Sequence, residues 1–75
     1  MGRLSDIDEA YATIRKWQST TFRRIADGDI DGAKRSHICA ICSIEILYDL
    51  GYNVPEDIED VKETIRIVLD RHAGD

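Results

Sequence analysis

Cysteine and long apolar runs are both scarce in this sequence of 75 residues. The two cysteines, Cys39 and Cys42, are too few and too close together to cross-link the chain in the way that disulfides cross-link small secreted domains. This usage fits a reducing cytoplasm best. Nowhere do eighteen uncharged apolar residues follow one another, and the first residues run straight into charged ones. We therefore expect neither a membrane span nor a signal peptide.

The motifs of the common catalytic centres are also missing. The sequence has no serine or cysteine in a glycine-flanked nucleophile elbow, no glycine-rich phosphate loop and no His-Glu-x-x-His helix. The carboxylates of residues 56–63 resemble the acidic helix of magnesium-dependent nucleotide hydrolases. Those enzymes need further carboxylates from a facing helix, and only Glu45 and Asp49 are available. A solvated acidic face is the favoured interpretation, and we expect a protein that is not an enzyme and uses no cofactor.

Basic residues are fewer than acidic ones, and the difference is concentrated in the second half of the sequence. The net charge is −5. Residues 1–36 hold seven Lys/Arg against six Asp/Glu, whereas residues 37–75 hold three against nine. An acidic second half argues against wrapping DNA, because nonspecific affinity for nucleic acid comes from neutralising phosphates. A helix-turn-helix regulator would need a basic recognition helix third in the chain, where this sequence is acidic, so we do not expect DNA binding.

Three segments carry apolar residues at the three- and four-residue spacing of amphipathic helices. Ser5 and Asp8 resemble a capping box at the start of the first. Asp29 is placed to cap the second, and Gly51 to end it in a left-handed turn. Pro55 suits the first turn of the third. With short connections, these segments predict one domain over residues 1–75, an all-α antiparallel three-helix bundle with helices at about 5–27, 30–50 and 55–72.

The second predicted helix has an apolar arc of about 220°, which is typical of a helix packed from two or more sides. Ser36, Ala40 and Ser43 lie in the middle of this arc, where small side chains allow another helix to approach closely. We therefore include Ser36 and Ser43 in a candidate partner interface. The apolar positions predicted for this helix are Ile30, Ala33, Ala40, Ile41, Ile44, Ile46, Leu47, Tyr48 and Leu50. On the third helix they are Ile58, Val61, Ile65, Val68, Leu69 and His72.

Two isoleucines are not explained by such a bundle. Ile67 lies opposite the apolar stripe of the third helix, and Ile38 lies on the polar side of the second, with Cys42 beside it. Two interpretations remain open. These are scattered surface hydrophobes, which every protein has, or they mark a face that docks on a second copy or a partner.

Two segments carry metal-binding residue types without a complete site. Cys39 and Cys42 are spaced as in zinc sites, but His37 points about 160° away from Cys39 on a helix. We expect both cysteines to be buried as small hydrophobes. Residues 27–32 resemble the start of an EF-hand calcium loop, but Ile38 occupies the twelfth position, where that family has a bidentate Glu. We expect no metal.

Basic residues gather around the predicted turn between the first two helices. Because these helices meet at Gly28, their cations and nearby hydroxyls are candidates to bind a phosphate or an acidic partner loop. The aspartates interleaved with them offer internal pairing instead. The candidate residues are Arg15, Arg23, Arg24, Lys34 and Arg35.

Small size, the lack of catalytic motifs and surplus apolar surface predict an acidic interaction protein that regulates or inhibits a larger protein, acting as a homodimer. The alternative is an oligomeric binder of a phosphorylated small molecule or nucleotide at the basic cluster. Small inhibitors made by phages and other mobile elements have a similar profile, although no motif here identifies such a family.

Overall fold

The computed structural model describes the backbone of residues 3–73 and the side chains of residues 6–72. These residues form three helices and no strand: α1 (Arg3–Ala26), α2 (Ile30–Asp49) and α3 (Glu56–Ala73). The predicted all-α three-helix bundle is thus confirmed, with every helix end within two residues of its predicted position. The side chain of Ser5, half of the predicted capping box, lies outside the described residues.

Glycines in the left-handed region end α1 and α2. Gly28 has φ 82° and Gly51 has φ 90°. After each glycine, the next amide donates to a carbonyl five residues earlier, which is the hydrogen bond of a Schellman turn. The two bonds are Asp29 N to Arg24 O at 2.8 Å and Tyr52 N to Leu47 O at 2.9 Å. Both turns therefore reverse the chain within a few residues.

The Asp29 side chain caps α2, as the sequence predicted. Its Oδ1 accepts a hydrogen bond from the Gly32 amide at 3.0 Å, satisfying one of the amides that a helix start leaves unpaired. A β-carbon at position 32 would lie 2.2 Å from Asp29 Oδ2. Glycine therefore fits under this carboxylate without any shift of the Asp29 side chain.

Small side chains lie between α1 and α2, which pack strongly against each other. Ala33, Ser36 and Ala40 are each at most 1 % exposed. The Arg24 guanidinium donates to Gly32 O at 3.0 Å and to Ser36 Oγ at 3.3 Å. α1 of the same chain thus reaches Gly32 and Ser36, whereas Ala33 clusters with Ile65 and Leu69 of α3. The prediction that Ser36 belongs to a partner interface is wrong, because its side chain is already enclosed.

The core contains apolar side chains from all three helices. Ile58 and Ile65 of α3 are fully buried, and the bundle is elongated, with extents of 47 × 20 × 17 Å. The buried apolar residues are Ile14, Ala33, Ala40, Ile44, Leu47, Ile58, Ile65 and Leu69.

Polar contacts position α3 against the middle of α1. The buried Gln18 Nε2 donates to Ile58 O at 3.0 Å. Arg15 forms two hydrogen bonds with the carboxylate of Asp57, each 3.0 Å long, and they lower the pKa of Asp57. Arg15 and Gln18 of α1 thus both contact the first turn of α3.

Several residues predicted for the core are exposed instead. Ile46, Tyr48 and Leu50 of α2 lie at the surface, as does His72 of α3. The predicted apolar arc of α2 is wider than the part of its surface that α1 and α3 together cover. Its uncovered edge carries Ile46 and Leu50.

Truncating Ile65 to alanine should lower the free energy of unfolding by about 2–5 kcal/mol, because it removes buried methyl groups and leaves a cavity. The matched change Ile67→Ala, two residues away on an exposed side chain, should cost less than about 0.5 kcal/mol. Urea denaturation followed by circular dichroism measures both. Equal losses would mean that α3 packs in a different rotation.

Candidate protein-binding surface

An apolar groove lies between α1 and α2 on the side away from α3. We call it the α1/α2 groove. It has a volume of about 270 Å³ and is lined by Ala10, Thr13, Ile14, Ser43, Ile46 and Leu47. Arg15 and Tyr48 mark the α3 side of their helices through bonds to Asp57 and Glu59. Thr13 lies two residues before Arg15, and Ile46 lies two residues before Tyr48. Each therefore lies about 160° around its helix from the side that faces α3.

Exposed aliphatic side chains continue the wall of this groove along α2. Ile46 is 58 % and Leu50 is 68 % exposed. With Cys39 and Ser43 they are spaced by three and four residues, so they share one helix face. Ser43, predicted at an interface, is half-buried here. The sequence pattern assigned Ile46 and Leu50 to the core. An apolar arc of 220° is, however, wider than the part of a helix that two neighbouring helices cover.

A second hollow lies on the other side of α2, and we call it the α2/α3 groove. It has a volume of about 340 Å³ and is lined by Lys34, His37, Ile38, Arg66, Leu69 and Asp70. Ile38 is 58 % exposed in it. Arg66 and Asp70 form an ion pair of 3.1 Å across its α3 wall. Ile67 is also exposed, but it does not line this groove, so the structure does not bring the two predicted isoleucines to one site.

An apolar row on the solvent side of α2 joins the two grooves. Ile38, Cys42 and Ile46 are spaced by four residues, so each lies about 40° around the helix from the last. All three are exposed. We call this row the α2 ridge. Cys42 was predicted at an interface, and it occupies the centre of the ridge.

The prediction that both cysteines are buried is wrong, because Cys39 and Cys42 are exposed free thiols. They lie on the part of α2 that neither α1 nor α3 covers. Among the described side chains, no group of three or more His, Cys, Asp or Glu residues is arranged to hold a metal ion. The carboxylate of Asp29, within the segment resembling a calcium loop, is occupied as a helix cap.

The five predicted anion-binding residues are distributed over different parts of the bundle. Arg15 pairs with Asp57 between α1 and α3, whereas Lys34 lines the α2/α3 groove. Arg24 donates to α2. Arg23 and Arg35 are exposed near the turn between α1 and α2. The ligand-binding alternative therefore has no single site that collects all five.

His37 is the buried titratable side chain of the α2/α3 groove. It is 8 % exposed, and its Nδ1 is buried with no hydrogen-bond partner among the described residues. Burial lowers the pKa of His37, the positive charge of Lys62 lowers it further, and Asp70 opposes both. The neutral ring is thus the form that the folded bundle favours.

The chain matches no protein-family model, no curated protein and no solved structure. In the described part of the chain, no helix is both long enough and apolar enough to cross a membrane.

Acidification should destabilise the bundle through His37. Unfolded His37 takes up a proton near its ordinary pKa of 6.5, while the folded chain resists protonation. The contribution of His37 to stability is thus fully present above pH 6.5. It is lost as the pH falls towards the lower pKa of the folded state. Denaturation at about pH 7.5 and about pH 5.5 should show this loss in the wild type and a smaller one in His37→Gln. His72→Gln, changed at an exposed histidine, is the control. Equal pH dependence in wild type and His37→Gln would contradict this role.

Proposed function

We propose that this chain is a small helical interaction protein that regulates or inhibits a larger protein by binding it, and that it works as a homodimer. The observation that carries the proposal is the α2 ridge, Ile38, Cys42 and Ile46, with the apolar α1/α2 groove on one side and the α2/α3 groove on the other. Single exposed hydrophobes are ordinary, but a continuous row flanked by hollows is characteristic of interaction surfaces.

The surroundings of the ridge also suit protein binding. Protein interfaces have an apolar centre and a polar rim. Here the centre is aliphatic and the rim on the α2/α3 side carries Lys34, Glu45, Arg66 and Asp70. Anchors such as Ile38 gain most from burial in a partner's pocket, and the surrounding charges select the partner by complementarity.

The two grooves allow α2 to serve two contacts at once. A second copy on one side leaves the other side open for the larger protein. A rod 47 Å long then acts by covering or tethering part of its target. Small inhibitors encoded by phages and mobile elements work on this scale, and we extend that comparison to this chain as an analogy only.

Partner binding predicts that Ile38→Glu abolishes capture of the larger protein, since a carboxylate buried in an apolar contact is strongly unfavourable. The tagged chain should retain a specific host protein through a stringent wash, and the variant should not. Ala12→Glu adds the same charge at an exposed position of α1 and should capture as well as wild type. Circular dichroism must show equal helix content. Equal capture by all three chains would mean that the α2 ridge does not bind the partner, and it would contradict the proposal.

Homodimerisation predicts a mass of about 17 kDa by light scattering, twice the 8.5 kDa of the chain. The melting temperature should rise with protein concentration, because mass action favours the assembled state. A monomer whose melting temperature ignores concentration would contradict the dimer and leave partner binding to be judged by the capture experiment.

A further inference from the structure

The two cysteines of α2 form a pair of free thiols on its solvent side. Cys39 and Cys42 are both exposed, and neither is in a disulfide. They are three residues apart, so they lie about 60° from each other around the helix and about 4.5 Å apart along its axis. Side chains at this spacing are neighbours, with β-carbons about 5–6 Å apart. Both sulfurs are therefore within reach of one metal ion.

A single copy of the chain supplies only these two ligands. Glu45 follows Cys42 by three residues, but it lies about 120° around the helix from Cys39. Among the described side chains, no group of three or more metal-binding residues is arranged to hold an ion. Thiolates select soft ions such as zinc, and a structural zinc site is almost always tetrahedral with four protein ligands. One copy thus provides half of such a site.

The position of the thiols on α2 allows a second copy to provide the other half. The helix runs over Ile30–Asp49, so the cysteine pair lies close to its midpoint. A two-fold axis through this midpoint, perpendicular to the helix, brings the pairs of two copies together at any crossing angle. Neither α1 nor α3 covers this side of α2, so the bundle leaves the approach open.

The neighbours of the thiols suit a shared thiolate site. Ile46 and Arg35 each lie about 10° around the helix from the midpoint between Cys39 and Cys42. Ile46 is 58 % exposed, and between two copies it would shield the sulfurs from water. Arg35 is exposed and has no hydrogen bond or ion pair with another described residue. A guanidinium from each copy would offset the net negative charge of four thiolates around a divalent ion.

We propose that Cys39 and Cys42 of two copies bind one zinc ion in a four-thiolate site that joins the copies through α2. The inference rests on the homodimer proposed above and adds the metal that links its halves. Each thiol releases its proton to solvent as it binds the ion. Ile38 lies about 70° around the helix from the midpoint between the thiols, towards the α2/α3 groove. That side of α2 stays open to the larger protein.

Zinc titration of the reduced chain tests the site. After treatment with a chelator the chain should be monomeric, and zinc should raise its mass by light scattering to about 17 kDa, twice the 8.5 kDa of one chain. Binding should saturate at one zinc ion per two chains, with unchanged helix content by circular dichroism. No binding, or saturation without a change in mass, would overturn the proposal. A dimer that resists the chelator and dissociates only in reductant would be a disulfide dimer and would also overturn it.

Variants of the ligands locate the bound ion. Cys39→Ser and Cys42→Ser should each abolish zinc-dependent dimerisation and weaken zinc binding by about a hundredfold or more, because each removes two of the four ligands of the dimer. Cobalt(II) in place of zinc should show thiolate charge-transfer absorption in the wild type and lose most of it in both variants. His72→Gln, at an exposed histidine outside the site, is the control and should behave as wild type. Equal zinc affinity in the wild type and the cysteine variants would place the ion elsewhere and overturn the site.

The same measurements separate the zinc site from the homodimer and from partner binding. Equal dimerisation of the wild type and of the double variant Cys39→Ser with Cys42→Ser, both in chelator and reductant, would overturn the zinc site while the homodimer stands. A wild type that stays monomeric at every zinc concentration would overturn both. Ile38→Glu should still dimerise with zinc. Its loss of capture with dimerisation intact would support partner binding independently.

Discussion

The close contact between α1 and α2 determines the rest of this molecule. Ala33, Ser36 and Ala40 are small enough for the two helices to approach closely. Near the turn, the Arg24 guanidinium of α1 donates hydrogen bonds to α2. A pair of helices has two grooves, and a single third helix covers only one of them. The position of α3 over one groove therefore leaves the other groove open as a necessary consequence of having three helices.

Polar groups in the interior are nearly all paired, and Gln18 is paired with α3. Gln18 donates to a backbone carbonyl of α3, whereas Thr21 and Ser36 donate to carbonyls of their own helices. These bonds satisfy groups that are costly to bury unpaired. Placing α3 in the opposite groove would leave Gln18 without its acceptor. His37 is the exception, since its Nδ1 has no partner among the described residues.

Local signals predicted the helices well. The Asp29 cap, the Gly28 and Gly51 turns and the apolar periodicity act within a few residues, so a single sequence contains them. The exposed residues were harder to predict. The wide arc of α2 showed that several neighbours were needed but not which edge α3 would leave free, so Ile46 and Leu50 were placed in the core. Likewise, proximity along the chain grouped Arg15 with Arg24, whereas their partners lie on different helices.

The Asp29 cap has a consequence for how this sequence can change over time. While Asp29 is retained, a side chain at position 32 requires its carboxylate to turn from the position it holds here, at a cost of at most the cap itself, about 1 kcal/mol. Once Asp29 has become a residue without that carboxylate, the space above position 32 is vacant and other residues become acceptable. The two positions are therefore coupled. Replacing Asp29 removes the cap, and it also removes the carboxylate that crowds a side chain at position 32.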